Sequence, residues 1–318
     1  MTPDRFPLCQ LPTPLHPLPR LSAELGIDLW IKRDDLTGFG GGGNKGRKLE
    51  FLMPQVVASG AEVVVTCGAT SSNFVRQLGA ACATLGLGCE AVVMDAPFEP
   101  GFPRASAPPL AEGGNEVLND LFGVVRHRMP DGSWDELFDG AARRAAELRA
   151  AGRRVFEVKI GGSSAEGAYA FALAANEIPE GFDWVVVASS SGSTLAGLAP
   201  TLQSRGMRVV GISADPEEEN RDDVFRLAGE AASRFGLPAL GSLDLRFDYV
   251  GEGYGVASAA GEAATLRMAR REGIVLDPVY SAKAFAGLLD LVDRRELTGR
   301  GVFWHTGGFP AVFGRPRS

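Results

Sequence analysis

Residues 40–51, GGGGNKGRKLEF, set four glycines and an asparagine before a lysine that opens a helix-like segment. Asn44 is placed to cap a helix beginning at Lys45, and Lys48 falls one turn on, so the two amines project from one face. A neighbouring cation and a helix N-terminus both lower a lysine pKa, which raises the fraction of neutral amine able to attack a carbonyl. Two further stretches are dense in small polar residues, CGATSSN at 67–73 and SSSGSTLAG at 189–197. Such loops present backbone N–H groups at the start of a helix, where the partial positive charge favours an anion. Gly192 lets the backbone approach an anion, and the hydroxyls of Ser191, Ser193 and Thr194 can donate to it. The alternative is a serine or threonine N-cap followed by a tight turn. Neither G-x-x-x-x-G-K-[ST] nor G-x-G-x-x-G is present there, so the loop is not a nucleotide-binding loop of those kinds.

The elements that must carry these loops alternate between short β-branched runs and helix-like segments. AEVVVTC (61–67), a helix over 73–85 and a strand over 89–94 make one βαβ unit. DWVVVA (183–188), a helix over 194–204 and MRVVGISA (207–214) make a second. Units of this kind build parallel sheets covered by helices on both faces, with ligands at the carboxyl ends of the strands. At 318 residues the chain is long enough for two lobes. The stretch 101–115, rich in Pro, Gly and Ala, reads as a surface loop. Residues 135–151 read as an amphipathic helix whose Arg143, Arg144, Glu147 and Arg149 form a solvated face.

Composition narrows the function. A net charge of −7 and a pI near 5.2 argue against nucleic acid as partner. The N-terminal residues lack the apolar core of a secretory signal, and the longest uncharged stretch, 184–204, is too rich in serine and threonine to span a membrane. Cys9, Cys67, Cys82 and Cys89 form no C-x-x-C pair, and the three histidines, His16, His127 and His305, are scattered. No metal site or disulfide framework is expected, and a cytoplasmic location fits.

A phosphate held by Lys48 and the serine loop would keep an aldehyde in reach of Lys45, an arrangement that suits pyridoxal 5'-phosphate. Here a resemblance becomes specific. IKRDDLTGFGGGGNKGRKLEF is similar to the signature of the D-cysteine desulfhydrase and 1-aminocyclopropane-1-carboxylate deaminase family, fold type II pyridoxal phosphate enzymes like the tryptophan synthase β-subunit. TCGATSSNFVRQ, EGGNEVLNDLFG, IGGSSAEGAYAF, VVVASSSGSTLAGL, GEGYGV, LDPVYSAKAFAGL and HTGGFPAVF follow in the family's order, across almost the whole chain.

The resemblance implies an α/β fold of two open, twisted, mostly parallel sheets flanked by helices. It implies a large cofactor-binding domain from 1–48 and 159–318, a small domain from 49–158, and a homodimer. Lys45 would carry the cofactor covalently, with Lys48, Ser191, Gly192, Ser193 and Thr194 on its phosphate and Asn73 on its phenolic oxygen. Ser72 would grip the carboxylate of a small amino-acid substrate, and Tyr254 and Tyr280 would flank the reacting carbons. Ser281, expected as a substrate contact, and Thr306, expected as a cofactor contact, stand where the cyclopropane deaminases have glutamate and leucine, which favours the desulfhydrase-like branch. The reaction implied is β-elimination from D-cysteine or a related amino acid, giving pyruvate, ammonia and sulfide. Alternatives are the cyclopropane deaminase, an L-cysteate sulfo-lyase, and a cofactor-binding homologue without turnover. Two departures from the family pattern are Phe74, where a polar side chain is usual, and the length of the run Gly40–Gly43. Phe74 either packs between the lobes or reshapes the substrate pocket.

Overall fold

The computed structural model describes residues 2–98, 108–109 and 112–315, and most of the loop expected over 101–115 lies outside them. A six-stranded sheet has the order β1 (Leu15–Pro17), β2 (Asp28–Arg33), β11 (Arg300–His305), β8 (Trp184–Ser189), β9 (Arg208–Ser213), β10 (Asp244–Arg246). All its pairings are parallel except β1 with β2. A second, all-parallel sheet has the order β6 (Val124–Arg128), β4 (Gly88–Met94), β3 (Val63–Ala69), β7 (Val155–Glu157). Glu112–Gly113 (β5) pairs antiparallel with Gly314–Arg315 (β12). The parallel α/β class is the one the alternation predicts, and the two mostly parallel sheets are those the resemblance implies.

Covering helices explain the strand composition. Every residue of β3 and of β8 is buried, because a strand packed on both faces has no polar side to show. Helices α1 (Pro19–Leu25), α9 (Ala259–Glu272) and α10 (Ser281–Asp293) lie on one face of the six-stranded sheet, and α6 (Ala165–Ala175), α7 (Ser193–Gln203) and α8 (Asn220–Phe235) on the other. The second sheet is flanked by α2 (Lys45–Ala58), α3 (Asn73–Leu85) and α5 (Trp134–Ala150), and α4 (Asn115–Leu121) packs on α3. The face of α5 is not wholly solvated. Arg144 donates to Glu90 on β4 at 2.7 Å, and Arg149 pairs with Glu157 on β7.

The glycine run is a backbone requirement. Gly40, Gly41, Gly42 and Gly43 all have positive φ, and a Cβ on Gly42 would lie 2.1 Å from the carbonyl oxygen of Asp35. Side chains of α3 hold the exposed carbonyls in place. Arg76 donates to those of Gly40 and Gly42, and Gln77 to those of Gly42 and Gly43. On the inner face of α2, Arg47 sits between Asp34, at 2.8 Å, and Glu177, at 2.6 Å, and Trp304 donates to Asp34. This buried cluster fixes α2 against the six-stranded sheet.

Close approach of α6 and α7 depends on one residue, since a Cβ on Gly197 would lie 2.0 Å from the Ala168 carbonyl oxygen. Gly197→Ala should therefore destabilise the fold by about 1–3 kcal/mol through overpacking. Gly229, on the exposed side of α8 with nothing within 4 Å, gives the opposite sign. Gly229→Ala should stabilise by about 0.5–1 kcal/mol through helix propensity. Urea midpoints at unchanged slope measure both, and a neutral Gly197→Ala would contradict the packing described.

Candidate active site

The carboxyl ends of β3, β8, β9 and β11 converge with the start of α2 on a cavity of about 860 Å³. This is where parallel sheets place their ligands. Lys45, Lys48, Ser72, Asn73, Phe74, Ser191, Gly192, Thr194, Tyr254, Tyr280 and Thr306 all line it. Ser193 lies just behind, fully buried, and Ser281 is the other sequence-predicted residue away from the wall.

Lys45 begins α2, as the spacing predicts, but Asn44 does not cap it. The Asn44 amide instead donates to Thr194 Oγ1 at 3.2 Å, tying the lysine helix to the serine loop. Burial brings the Lys45 amine down to about 8, partly opposed by the charge of Asp277. Lys48 is 1% exposed and held well below the ordinary lysine value, first by burial and then by Lys45, whose amine is within hydrogen-bonding reach. The expected effect of the neighbouring cation thus falls on Lys48, while burial is what lowers Lys45. The hydrogen-bond acceptor of Lys48 is the Gly161 carbonyl at 3.1 Å, and among the described residues no carboxylate pairs with it.

The serine loop is open to an anion rather than closed on itself. The residue before α7 is Gly192, at φ +84°, and no side chain caps the helix. That answers the alternative of a serine or threonine cap. Ser189 Oγ, in the cavity wall, is buried without a partner. An uncapped helix N-terminus, an orphaned hydroxyl and an unneutralised lysine pair fit a phosphate ester that also bears an aldehyde. Lys45 would take the aldehyde, and Lys48 with the start of α7 would take the phosphate.

Across the cavity, Ser72 is the N-cap of α3, its Oγ accepting from the N–H of Phe74 at 3.2 Å and of Val75 at 3.3 Å. The hydroxyl proton remains free to donate. Asn73 accepts at Oδ1 from Asn115 at 2.9 Å, which leaves its amide N–H groups for the cavity. Asn115 in turn accepts from Arg76 at 2.7 Å. Phe74 is 2% exposed, packed into the core around the four-stranded sheet, and its ring edge would meet a Cβ on Gly162 at 2.8 Å. It meets the cavity as part of that packed wall.

Tyr254 and Tyr280 share a hydrogen bond between their hydroxyls at 2.5 Å. Burial pushes both phenols well above their ordinary value, with the nearby charge of Asp215 adding to it, so both keep their protons. Ser281 differs from its expected role as a substrate contact. Its hydroxyl proton goes to Asp277 Oδ1 at 2.5 Å, and it is fully buried behind the wall. Asp277 also accepts from the backbone N–H groups of Val279, Tyr280 and Ser281, which fixes Tyr280.

Several groups at the cavity have no counterpart in the sequence reading. Asp215 lies two residues past the end of β9, where burial raises its carboxyl from 3.8 to about 6. Trp134, at the start of α5, packs edge-on against Tyr254 at 5.3 Å and donates to Glu217 at 3.3 Å. Asp215 and Asp277 each precede a proline just past a strand or at a turn, and that was the available signal. Nothing local marks Trp134, Asn115 or Arg76.

Comparison with known proteins agrees with the geometry. The model of the family described as pyridoxal-phosphate dependent enzyme matches residues 7–307. D-cysteine desulfhydrases of Salmonella paratyphi B and Salmonella typhi are each 39% identical over 97% of this chain and 96% of their own length. A crystal structure described as an ACC deaminase homologue superposes with a TM-score of 0.87 at 36% identity, covering 98% of this chain and 94% of the other. A hydrogen sulfide-producing enzyme from Fusobacterium nucleatum shares the fold, with a TM-score of 0.64 at 14% identity over 94% of this chain and 96% of that one. With its lysine-bearing cleft and these full-length likenesses, the chain belongs to the pyridoxal-phosphate dependent enzymes, in the family that holds the D-cysteine desulfhydrases and the ACC deaminase homologue.

Proposed function

We propose that the chain is a carbon–sulfur lyase that removes sulfide from D-cysteine, or a closely related β-substituted amino acid, and leaves pyruvate and ammonia. The observation that carries this reading is the convergence on one cavity of a buried amine, a free serine hydroxyl and a paired set of neutral phenols. Bound pyridoxal phosphate supplies an electron sink for charge that develops at the substrate's Cα.

The chain supplies the rest. Lowering Lys45 from 10.5 to about 8 multiplies its neutral fraction at pH 7 by roughly 300, which suits an amine that must take the Cα proton. Ser72 and the N-terminus of α3 hold the substrate carboxylate, and Asn73 orients the ring. The C–S bond breaks with its electron pair on sulfur, and the Tyr254–Tyr280 pair delivers a proton there. Hydrolysis of the remaining enamine consumes one water and releases ammonia and pyruvate. Thr306, which lines the cavity, would meet the ring nitrogen, whereas Ser281 is committed to Asp277 and lies off the lining.

Deamination of 1-aminocyclopropane-1-carboxylate is the second reading, favoured by the likeness to the ACC deaminase homologue. A neutral hydroxyl at the ring nitrogen favours the sulfur substrate, since a thiolate leaves without the deeper electron sink that a carboxylate there would provide. We further read residues 1–48 with 159–318 as the large domain and 49–158 as a smaller one that closes over substrate, working as a cytoplasmic homodimer. Supporting closure, Trp134 reaches from α5 to Tyr254 and Glu217. Supporting the compartment, all four cysteines are unpaired.

Borohydride reduction of the loaded protein should fix the cofactor on Lys45 in a peptide located by mass spectrometry. Lys45→Ala should abolish the adduct and lower elimination about 10²–10⁴-fold. An adduct on another lysine would remove the basis of the mechanism. Cofactor loading of the stripped protein should quicken as pH rises and level off above about 8, because only the unprotonated Lys45 amine reacts and burial holds its pKa there. Stopped-flow absorbance reads that profile, and a midpoint near 10.5 would mean the amine is not desolvated. Tyr280→Phe should slow sulfide release from D-cysteine about 10²-fold or more but slow chloride release from β-chloro-D-alanine far less, since chloride leaves unprotonated. Equal losses on the two substrates would count against proton delivery by the pair.

A further inference from the structure

The cavity contains a carboxylate that the mechanism above does not use. Asp215 is 4% exposed and lines the cavity, and its Oδ1 has no hydrogen-bond partner. Its backbone is tied locally, since Asp215 N donates to Ser213 Oγ and Ser213 Oγ donates back to the Asp215 carbonyl at 2.7 Å. Ser190 bonds to the side chain, while Lys45 and Lys283 act on it through their charges alone. Lys283 directs its amine to the Gly253 carbonyl at 2.8 Å. A buried acceptor left in this state carries a desolvation cost that a donor entering the cavity would relieve.

Asp215 shares the lining of that space with Tyr254, Tyr280 and Lys45, the groups proposed to surround the reacting carbons, and its charge acts on all three. Glu217, Glu219 and Asp223 belong to the same lining. Of the cations that share it, Arg226 is already bound between Asp223 at 2.6 Å and Glu230 at 2.9 Å, and Lys159 is exposed.

We propose that Asp215 selects the substrate's side chain, admitting a β-substituent that carries a hydrogen-bond donor and rejecting one that carries negative charge. A thiol, a hydroxyl or above all an ammonium group donates to Oδ1. A sulfonate leaves Oδ1 unsatisfied and meets the like charge of Asp215, so the selection includes a repulsive element as well as an attractive one. This removes cysteate from the substrates open to the chain and adds amino acids with a basic group on Cβ. The inference rests on the amino-acid lyase reading for its ligand class.

The test is the first binding step of the cofactor-loaded enzyme, followed by stopped-flow absorbance, with 2,3-diaminopropionate, alanine and cysteate in both enantiomers. Wild type should bind diaminopropionate about tenfold or more tighter than alanine and cysteate about tenfold or more weaker, in the more tightly bound enantiomeric series. Asp215→Asn should bring the three within about threefold of each other. Equal affinities in the wild type overturn the proposal without any variant, which settles it even where Asp215→Asn does not fold. A common shift of all three ligands in Asp215→Asn also overturns it, because that pattern belongs to a carboxylate acting on the cofactor ring. Pyruvate release from D-cysteine and β-chloro-D-alanine, measured on the same preparation, tests the lyase reading separately. Absence of pyruvate with the binding order intact defeats that reading and leaves the selection by Asp215 supported.

Discussion

Three cations lie in the first turn of α2, and among the described residues only one of them, Arg47, forms ion pairs with carboxylates. Arg47 is enclosed by Asp34 and Glu177 and raised above its ordinary value by that pairing, although burial opposes it. Lys45 and Lys48, on the other face of the same turn, have each other and a backbone carbonyl. Burying ammonium groups away from water is costly, and the lowered values of both lysines reflect that cost. A dianionic ligand reverses that balance for Lys48. The site is therefore built around a charge it does not itself contain, and binding that charge stabilises the folded state by mass action.

Holding two lysines in this position requires that α2 cannot turn or retreat. Arg47 prevents rotation from one side, since moving it would strand two carboxylates in the interior. From the other side, the glycine run doubles back under the helix start with its carbonyls bound by Arg76 and Gln77 of α3. The first turn of α3 also carries Ser72 and Asn73. The residues expected to hold substrate and cofactor ring are thus registered against the lysine through hydrogen bonds to the loop that precedes it, and the extra glycines lengthen the loop that makes this contact.

Much of this was legible in the sequence because it is local. Fully buried parallel strands appear as unbroken apolar runs, so β3, β4, β8 and β9 fall within a residue or two of their predicted spans. Residues 73–85 form a helix over the whole predicted range, and the three polar loops line one cavity because strand ends in parallel sheets face one way. What escaped is set by tertiary contact. Asn44 reads as a cap because its type and position suit one, but Thr194, 150 positions later, offers its amide another partner. Ser281 reads as a pocket hydroxyl, yet Asp277 four residues earlier takes its proton. Arg144 reads as a solvated charge because Glu90 lies on another element. In each case a polar side chain chose a partner that spacing along the chain could not reveal.

The cavity that results is electrically divided. One end, at the start of α7 and Lys48, presents N–H groups and an amine, while the other, past β9, presents Asp215, with Asp277 buried outside the lining just before α10. Lys45 lies between them, lowered by burial and held up partly by both acids. The two acids are not equivalent. Asp277 accepts from three backbone N–H groups and a serine hydroxyl, so its charge is dispersed and serves to fix Tyr280. Asp215 keeps an oxygen unbound. A carboxylate with its acceptors filled organises the protein around it, whereas one with an acceptor open organises whatever enters. That difference, rather than the number of acids, separates the part of the wall that positions the tyrosines from the part that can discriminate among side chains.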